Sequence, residues 1–327
     1  MIDLPPKLDL AQIPTPLQLL NRVSKELGVN IWVKRDDLTG SVLSGNKVRK
    51  LEFSLAQALR EGCDHIITCG GLQSNHCRAT ALLGAQLGLS VTLVLRGHAE
   101  EVADGNFLLD RLSGATIKTF APRDYTQNLT SILEAEANAV SEQGGKAFVI
   151  PTGASDGVGI WGYVAAAKEM QEDFNRHRIL PSHVVMATGS GGTQAGLSLG
   201  AHLLGWETQI LGMAVCDDEN YFLRKVREDI DECTQRYGLT TNSEDVSVSV
   251  NDRYVGPGYA QADDEVFEMI AKLASTEGIV LDPVYTGKAF YGLVSEIKSG
   301  RLTGVRDVVF VHTGGVFGNF PFKQRFA

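Results

Sequence analysis

The 327-residue chain is poor in features that staple a protein shut or attach it to a large partner. Its five cysteines, Cys63, Cys69, Cys77, Cys216 and Cys233, are an odd number without CxxC spacing, which excludes a disulfide framework and leaves no zinc signature. They read as reduced thiols of a cytoplasmic protein, and no metal is expected. Nowhere do about 18 apolar residues run together, and the opening MIDLPPKLDL lacks a cationic segment followed by an apolar one. Neither a membrane span nor an export signal is therefore expected. Basic blocks are missing too: 30 Lys and Arg against 39 Asp and Glu leave a net charge of −9, which argues against nucleic acid or an anionic membrane as partner. No internal repeat, low-complexity tract or Pro/Gly/Ser-rich linker divides the chain. Glycine is what abounds, with 35 residues, above the usual share of roughly 7%. Such an excess points to tight turns and ligand loops.

Strand-like runs at 65–69, 91–95, 115–120, 146–150, 183–187, 209–215 and 307–312 alternate with helical ones, among them 76–87, ended by Gly88, and 194–204, ended by Gly205. That rhythm predicts an α/β protein with mostly parallel, buried strands and ligands at the strand C-termini. The polar segment 235–265 reads as a long excursion carrying functional side chains.

In SGNKVRKLEF, Asn46 reads as an N-cap, and Val48, Leu51, Leu55 and Leu59 repeat at helical spacing until Gly62. Lys47 then falls in the first turn, where the helix dipole opposes its charge and Arg49 and Lys50 are near. Both effects lower its pKa, and a neutral lysine is the nucleophile that forms a Schiff base with a carbonyl. The alternative is a solvated lysine at a frayed helix start.

Two loops after strands have the composition of anion sites. In GGLQSNHCRA, two glycines permit a tight turn, while Ser74 and Asn75 cap a helix whose free N–H groups suit a carboxylate; His76 and Arg78 extend the polar site or face water. In TGSGGTQAG, the residues Thr188, Gly189, Ser190, Gly191, Gly192 and Thr193 form a cradle of backbone donors for a phosphate. It is neither a Walker A motif nor a dinucleotide fingerprint. Further on, Tyr285 in LDPVYTGKAFYGL can move a proton if its pKa is lowered, and the Thr313 hydroxyl in HTGGVFGNF can meet a ring nitrogen or cap a turn. CDDEN, 216–220, matches no standard metal spacing and reads as a solvated loop.

Taken in order, SGNKVRKLEF, GGLQSNH, TGSGGTQAG, DPVYTGKA and HTGG resemble one family, the pyridoxal-phosphate enzymes of fold type II, in the branch of 1-aminocyclopropane-1-carboxylate deaminase and D-cysteine desulfhydrase. The similarity runs from PTPLQLL through WVKRDDLTG to HTGG, nearly the whole chain. It implies two open, twisted, mostly parallel sheets flanked by helices, as in the tryptophan synthase beta chain. A larger discontinuous domain would comprise 1–47 and 160–327, a smaller one 48–159, and the protein would be a homodimer. The resemblance also makes Lys47 the residue that carries pyridoxal 5'-phosphate. Asn75 would contact the ring hydroxyl, the 188–193 loop the phosphate and Thr313 the pyridine nitrogen. Gln73, Ser74, Asn75 and His76 would receive the substrate carboxylate, with Tyr259 and Tyr285 as the two active-site tyrosines.

By the same resemblance, true deaminases carry glutamate after the DPVY tyrosine and leucine before the final GG, whereas here Thr286 and Thr313 stand there, the desulfhydrase pattern. Ser44 departs from the more frequent glycine before GNK. The expected reaction is β-elimination from a small amino acid, D-cysteine giving pyruvate, hydrogen sulfide and ammonia, with Lys47 or Tyr285 as the base at Cα. Its rivals are loss of sulfite from L-cysteate, for which His98, Arg96 or Arg78 would supply extra cations, and the cyclopropane deaminase reaction. A non-catalytic phosphate-ligand binding protein and a nicotinamide-dependent dehydrogenase using GSGG are the readings from other classes.

Overall fold

The structure is a computed structural model describing residues 2–98 and 102–327. In chain order its strands are β1 (Leu17–Leu19), β2 (Asn30–Lys34), β3 (His65–Gly71), β4 (Ser90–Arg96), β5 (Thr116–Phe120), β6 (Ala147–Ile150), β7 (His183–Thr188), β8 (Gln209–Ala214), β9 (Ser249–Asn251) and β10 (Asp307–Val311). The helices are α1 (Asn21–Leu27), α2 (Lys47–Arg60), α3 (Asn75–Leu87), α4 (Gly105–Leu112), α5 (Pro122–Glu142), α6 (Trp161–His177), α7 (Gly192–Leu204), α8 (Glu219–Tyr237), α9 (Asp264–Glu277) and α10 (Thr286–Lys298).

The strands form two sheets, in the orders β1-β2-β10-β7-β8-β9 and β5-β4-β3-β6. Every pairing is parallel except β1 with β2. Parallel strands need helical crossovers, and those helices cover both faces, so the central strands carry apolar side chains on both sides. In β7, Val185 joins the apolar cluster of Phe290 and Phe310, while Val184 and Met186 join that of Tyr163, Met170 and Val309 on the opposite face. All seven strand-like runs of the sequence are strands here. β1, β2 and β9 lie outside them, and β9 comes from the polar excursion, which adds an edge strand before reaching Tyr259.

α2 spans the expected stretch, with Gly62 beyond its end at φ 72. Val48, Leu51 and Leu55 are fully buried, whereas Leu59, at the last turn, is exposed. α2 crosses α6 so closely that a β-carbon at Gly162 would stand 2.4 Å from the Arg49 carbonyl oxygen. Only glycine admits that approach. The crossing is locked by a buried network in which Arg49 donates to Asp36 at 2.8 and 2.9 Å and to Glu169 at 2.9 Å, and Tyr163 donates to Asp36 at 2.6 Å. The start of α2, with Lys47, is thereby held at the joint between the sheets.

Candidate active site

The C-terminal ends of β3, β7 and β10 and the start of α2 converge on a cavity of ≈ 420 Å³. Of the residues singled out from the sequence, Lys47, Ser74, Asn75, His76, Thr188, Gly189, Ser190, Gly191, Thr193, Tyr259, Tyr285 and Thr313 line it. Three do not. Gln73 turns away, accepting from the Asn106 N–H at 2.9 Å and donating to the Asp104 carbonyl at 3.0 Å. The Gly192 N–H donates to Ser155 Oγ at 3.2 Å behind the loop. Thr286 is buried beneath Tyr285, its hydroxyl donating to Asp282 Oδ1 at 2.7 Å.

Among the described residues the Lys47 ammonium has one hydrogen-bond acceptor, the Gly153 carbonyl at 3.5 Å. Burial pushes its pKa down to about 8. The direction is the one the sequence suggested, but the cause differs. Arg49 is neutralised by Asp36 and Glu169 on the far side of the helix, and Asn46 gives its side chain to Thr193 Oγ1 at 2.9 Å instead of capping α2.

At the start of α3, Ser74 Oγ caps the helix by accepting from the Cys77 N–H at 3.1 Å, which leaves its own hydroxyl proton free to donate. Asn75 Oδ1 accepts from Arg78 Nη1 at 3.1 Å and Asn106 Nδ2 at 3.0 Å. Its amide NH₂ is then the free end. His76 Nε2 lies 2.7 Å from Thr68 Oγ1, whose proton goes to the Ile150 carbonyl at 2.8 Å. The imidazole therefore donates from Nε2 and keeps a lone pair on Nδ1, which has no partner among the described residues. Burial, reinforced by Lys47 and Lys50, holds its pKa well below 6.5, so the ring is neutral.

The glycine-rich loop between β7 and α7 is supported from behind by residues the sequence reading did not single out. Lys50, fully buried, donates to Ser155 Oγ at 2.9 Å, and Ser155 Oγ lies 2.8 Å from Ser190 Oγ. With its lone pairs facing Lys50 and the Gly192 N–H, Ser155 gives its proton to Ser190, whose own proton is left for a ligand. Gly191, at φ 86, makes the left-handed turn that opens α7. The Lys50 pKa is pushed well below 10.5 by burial and by Lys47, against the pull of Asp229.

Tyr259 and Tyr285 meet hydroxyl to hydroxyl at 2.6 Å. Burial raises the pKa of both, that of Tyr285 well above 10, so they are neutral proton donors. The condition for Tyr285 to act as a base, a lowered pKa, is absent. The loop carrying Tyr259 is tied down by Lys288, which donates to the carbonyls of Val255 and Gly258 at 2.7 Å and of Val215 at 3.1 Å. Cys216 and Asp217, from the stretch read as a solvated loop, also line the cavity, while Asp218 caps α8. No group of three or more His, Cys, Asp or Glu among the described residues is placed to hold a metal.

These groups suit pyridoxal phosphate. A buried amine of lowered pKa stands ready for the aldehyde, and a helix start backed by Lys50 for the phosphate. The free Asn75 amide is of the type that would donate to a ring oxygen. The Thr188 and Thr313 hydroxyls have no partner among the described residues and are available to the ring.

Residues 8–314 match the family of pyridoxal-phosphate dependent enzymes. The chain is 43% identical over 320 residues to a Thermotoga maritima protein provisionally named 1-aminocyclopropane-1-carboxylate deaminase, covering 98% of this chain and 99% of that one. It is 41% identical over 321 residues to the Arabidopsis thaliana protein named bifunctional D-cysteine desulfhydrase/1-aminocyclopropane-1-carboxylate deaminase, mitochondrial, covering 94% of this chain and 78% of that one. The crystal structure of an ACC deaminase homologue superposes with a TM-score of 0.90 at 38% identity, covering 98% of this chain and 95% of that one. This chain is thus a pyridoxal-phosphate dependent enzyme of the 1-aminocyclopropane-1-carboxylate deaminase and D-cysteine desulfhydrase family.

Proposed function

We propose that the enzyme is a carbon–sulfur lyase that converts D-cysteine and water to pyruvate, ammonia and hydrogen sulfide. The observation that carries this reading is the scarcity of acid in the cavity. Among the described residues its one lining carboxylate is Asp217, which is exposed, and the position after Tyr285 holds Thr286, bound to Asp282. Proton donation at the reacting end therefore falls to the two neutral tyrosines, which suits a good leaving group such as sulfide better than an unactivated carbon of a strained ring.

When bound, pyridoxal phosphate supplies an electron sink for the pair released at Cα. The chain's own groups do the rest. The Ser74 hydroxyl and the free N–H groups at the start of α3 hold the substrate carboxylate, and the Asn75 amide and Thr313 hydroxyl orient the ring. Lys47, with a pKa near 8, takes the Cα proton. The Tyr259–Tyr285 pair stands ready to protonate the departing sulfur.

The same reading divides the chain into a larger domain of 1–47 and 160–327 and a smaller one of 48–159, and makes it a homodimer in a reducing, cytoplasmic setting. The five cysteines, all free, agree with the last point. No helix among the described residues is long and apolar enough to cross a membrane.

The test is parallel measurement of sulfide, sulfite, pyruvate and ammonia from D-cysteine, L-cysteine, L-cysteate and 1-aminocyclopropane-1-carboxylate. Sulfide with pyruvate from D-cysteine is expected. Silence on D-cysteine with ketobutyrate and ammonia from the cyclopropane substrate would reassign the enzyme as a deaminase.

A further inference from the structure

The cavity lining includes two charged side-chain cations, Lys47 and Arg96, and the proposed reaction uses only the first. Arg96 ends β4, in register with Gly71 of β3, which leads into the Ser74 loop. Its guanidinium carbon lies 5.4 Å from the centroid of the Tyr259 ring and 6.0 Å from that of Tyr125. Contacts of this kind take up none of the N–H donors of a guanidinium. Among the described residues no carboxylate pairs with Arg96 and no acceptor takes a hydrogen bond from it.

The other cations considered for this role are elsewhere. Arg78 is buried under Phe317 and spends its donors on Asn75, Asn106 and the Ser44 carbonyl. His98 is exposed and outside the lining. Arg96 borders the phenol pair, because the ring it contacts belongs to Tyr259, whose hydroxyl meets that of Tyr285. The substrate carboxylate already has its receptor at the start of α3. An uncommitted guanidinium beside the phenols is one cation more than an α-amino acid headgroup requires.

We propose that Arg96 forms the subsite for the β-substituent of the amino-acid substrate and receives negative charge there, so that the cavity selects amino acids whose β-group carries a negative charge or leaves with one. This inference rests on the β-elimination reading. In that reaction the Cα–H bond breaks with its proton going to Lys47. The pair left at Cα then forms the second Cα–Cβ bond as the Cβ–S bond breaks with its electron pair going to sulfur, and the anion so formed lies against the guanidinium until a phenol protonates it.

The experiment uses holoenzyme and ligands that resemble substrate but have no leaving group, titrated by the cofactor's visible absorbance: alanine, without a charged β-group, and aspartate, with a β-carboxylate, each in both hands. Wild-type enzyme is expected to bind one enantiomer of aspartate more tightly than alanine of the same hand, with a preference that shrinks as salt is raised. In Arg96→Met the aspartate affinity should fall on the order of tenfold to a hundredfold, the range of one charge-assisted hydrogen bond, with alanine changed less than about twofold. Arg96→Lys should restore part of the loss. Equal losses on both ligands would assign Arg96 to the α-carboxylate and overturn the proposal, as would a wild-type enzyme that does not prefer aspartate. The wild-type comparison decides even if both variants misfold. An aspartate preference without sulfide release from D-cysteine would sink the D-cysteine assignment alone, and sulfide release without that preference would sink the Arg96 subsite alone.

Discussion

The starts of α3 and α7 invite comparison, since each follows a buried parallel strand, each lines the same cavity, and each has a fully buried cation one hydrogen bond behind it. Behind α3 it is Arg78, acting through Asn75; behind α7 it is Lys50, acting through Ser155. Burial lowers the Arg78 pKa only to about 10, so that charge is permanent at neutral pH. Burial and Lys47 carry Lys50 well below its ordinary 10.5, so its charge depends on what lies in front of it. On the proposed assignment of the two helix starts, a substrate exchanged at every turnover would meet a fixed set of donors, while a bound phosphate would favour the charged form of Lys50 behind it.

The largest break in this arrangement is at the residue both ends serve. Lys47→Ala should lower turnover by up to about 10⁴-fold and abolish the visible band that borohydride bleaches, since it removes both amine and base. In the cofactor-free protein, labelling of Lys47 by an amine-specific reagent should rise with pH and reach half-maximum near 8, because only the neutral amine reacts and burial favours that form. A midpoint near 10.5 would return Lys47 to the status of a solvated lysine.

The two helix starts should then separate cleanly. Lys50→Met is expected to weaken retention of pyridoxal phosphate by roughly tenfold to a hundredfold in equilibrium dialysis, with the substrate KM of cofactor-saturated enzyme unchanged. Ser74→Ala should do the reverse, raising KM about tenfold and leaving cofactor retention alone. If either variant moved the other's observable, the division of labour between the helices would be wrong.

The smallest effect concerns what stands beside Arg78. Asp110 is fully buried, its two carboxyl oxygens have no partner among the described residues, and burial, only partly offset by Arg78, pushes its pKa up to about 8. The folded chain therefore holds a proton there that the unfolded chain, near 3.8, releases. Its contribution to stability is full below about pH 4 and is lost as the pH rises toward 8. Asp110→Asn should leave the melting temperature unchanged at pH 4 and raise it by about 2–4 °C at pH 8. A drop at pH 8 would show that the ionised carboxylate is what Arg78 requires.

Much of this was legible beforehand because it depends on local order. Buried parallel strands are short apolar runs, and Ser74, Gly88 and Gly205 are a cap and two left-handed stops whose chemistry acts within one turn. β1 and β9 were not legible, since three residues carry no periodicity and their place comes from the neighbour they pair with. Gln73 and Thr286 sit inside the recognisable motifs yet face Asn106 and Asp282, because a motif sets chain position and not side-chain direction. Lys50 entered the sequence reading only as a cation near Lys47, and Lys288 not at all. Nothing in their neighbours along the chain announces Ser155 or the carbonyls of Val215, Val255 and Gly258.

The amino-acid sequence by itself determined the α/β class, two loops with the composition of anion sites and the helix start that carries Lys47, since spacing, glycine placement and helix caps are local properties of the chain. Only the tertiary structure decided the protonation states on which the chemistry turns. Lys47 is brought near 8 by burial while Arg49 is neutralised across the helix, and burial turns Tyr259 and Tyr285 into donors. Arg96 is left without a hydrogen-bond acceptor among the described residues, beside two rings. Desolvation and charge pairing depend on what the whole fold packs around a group, and that is not written in the residues beside it.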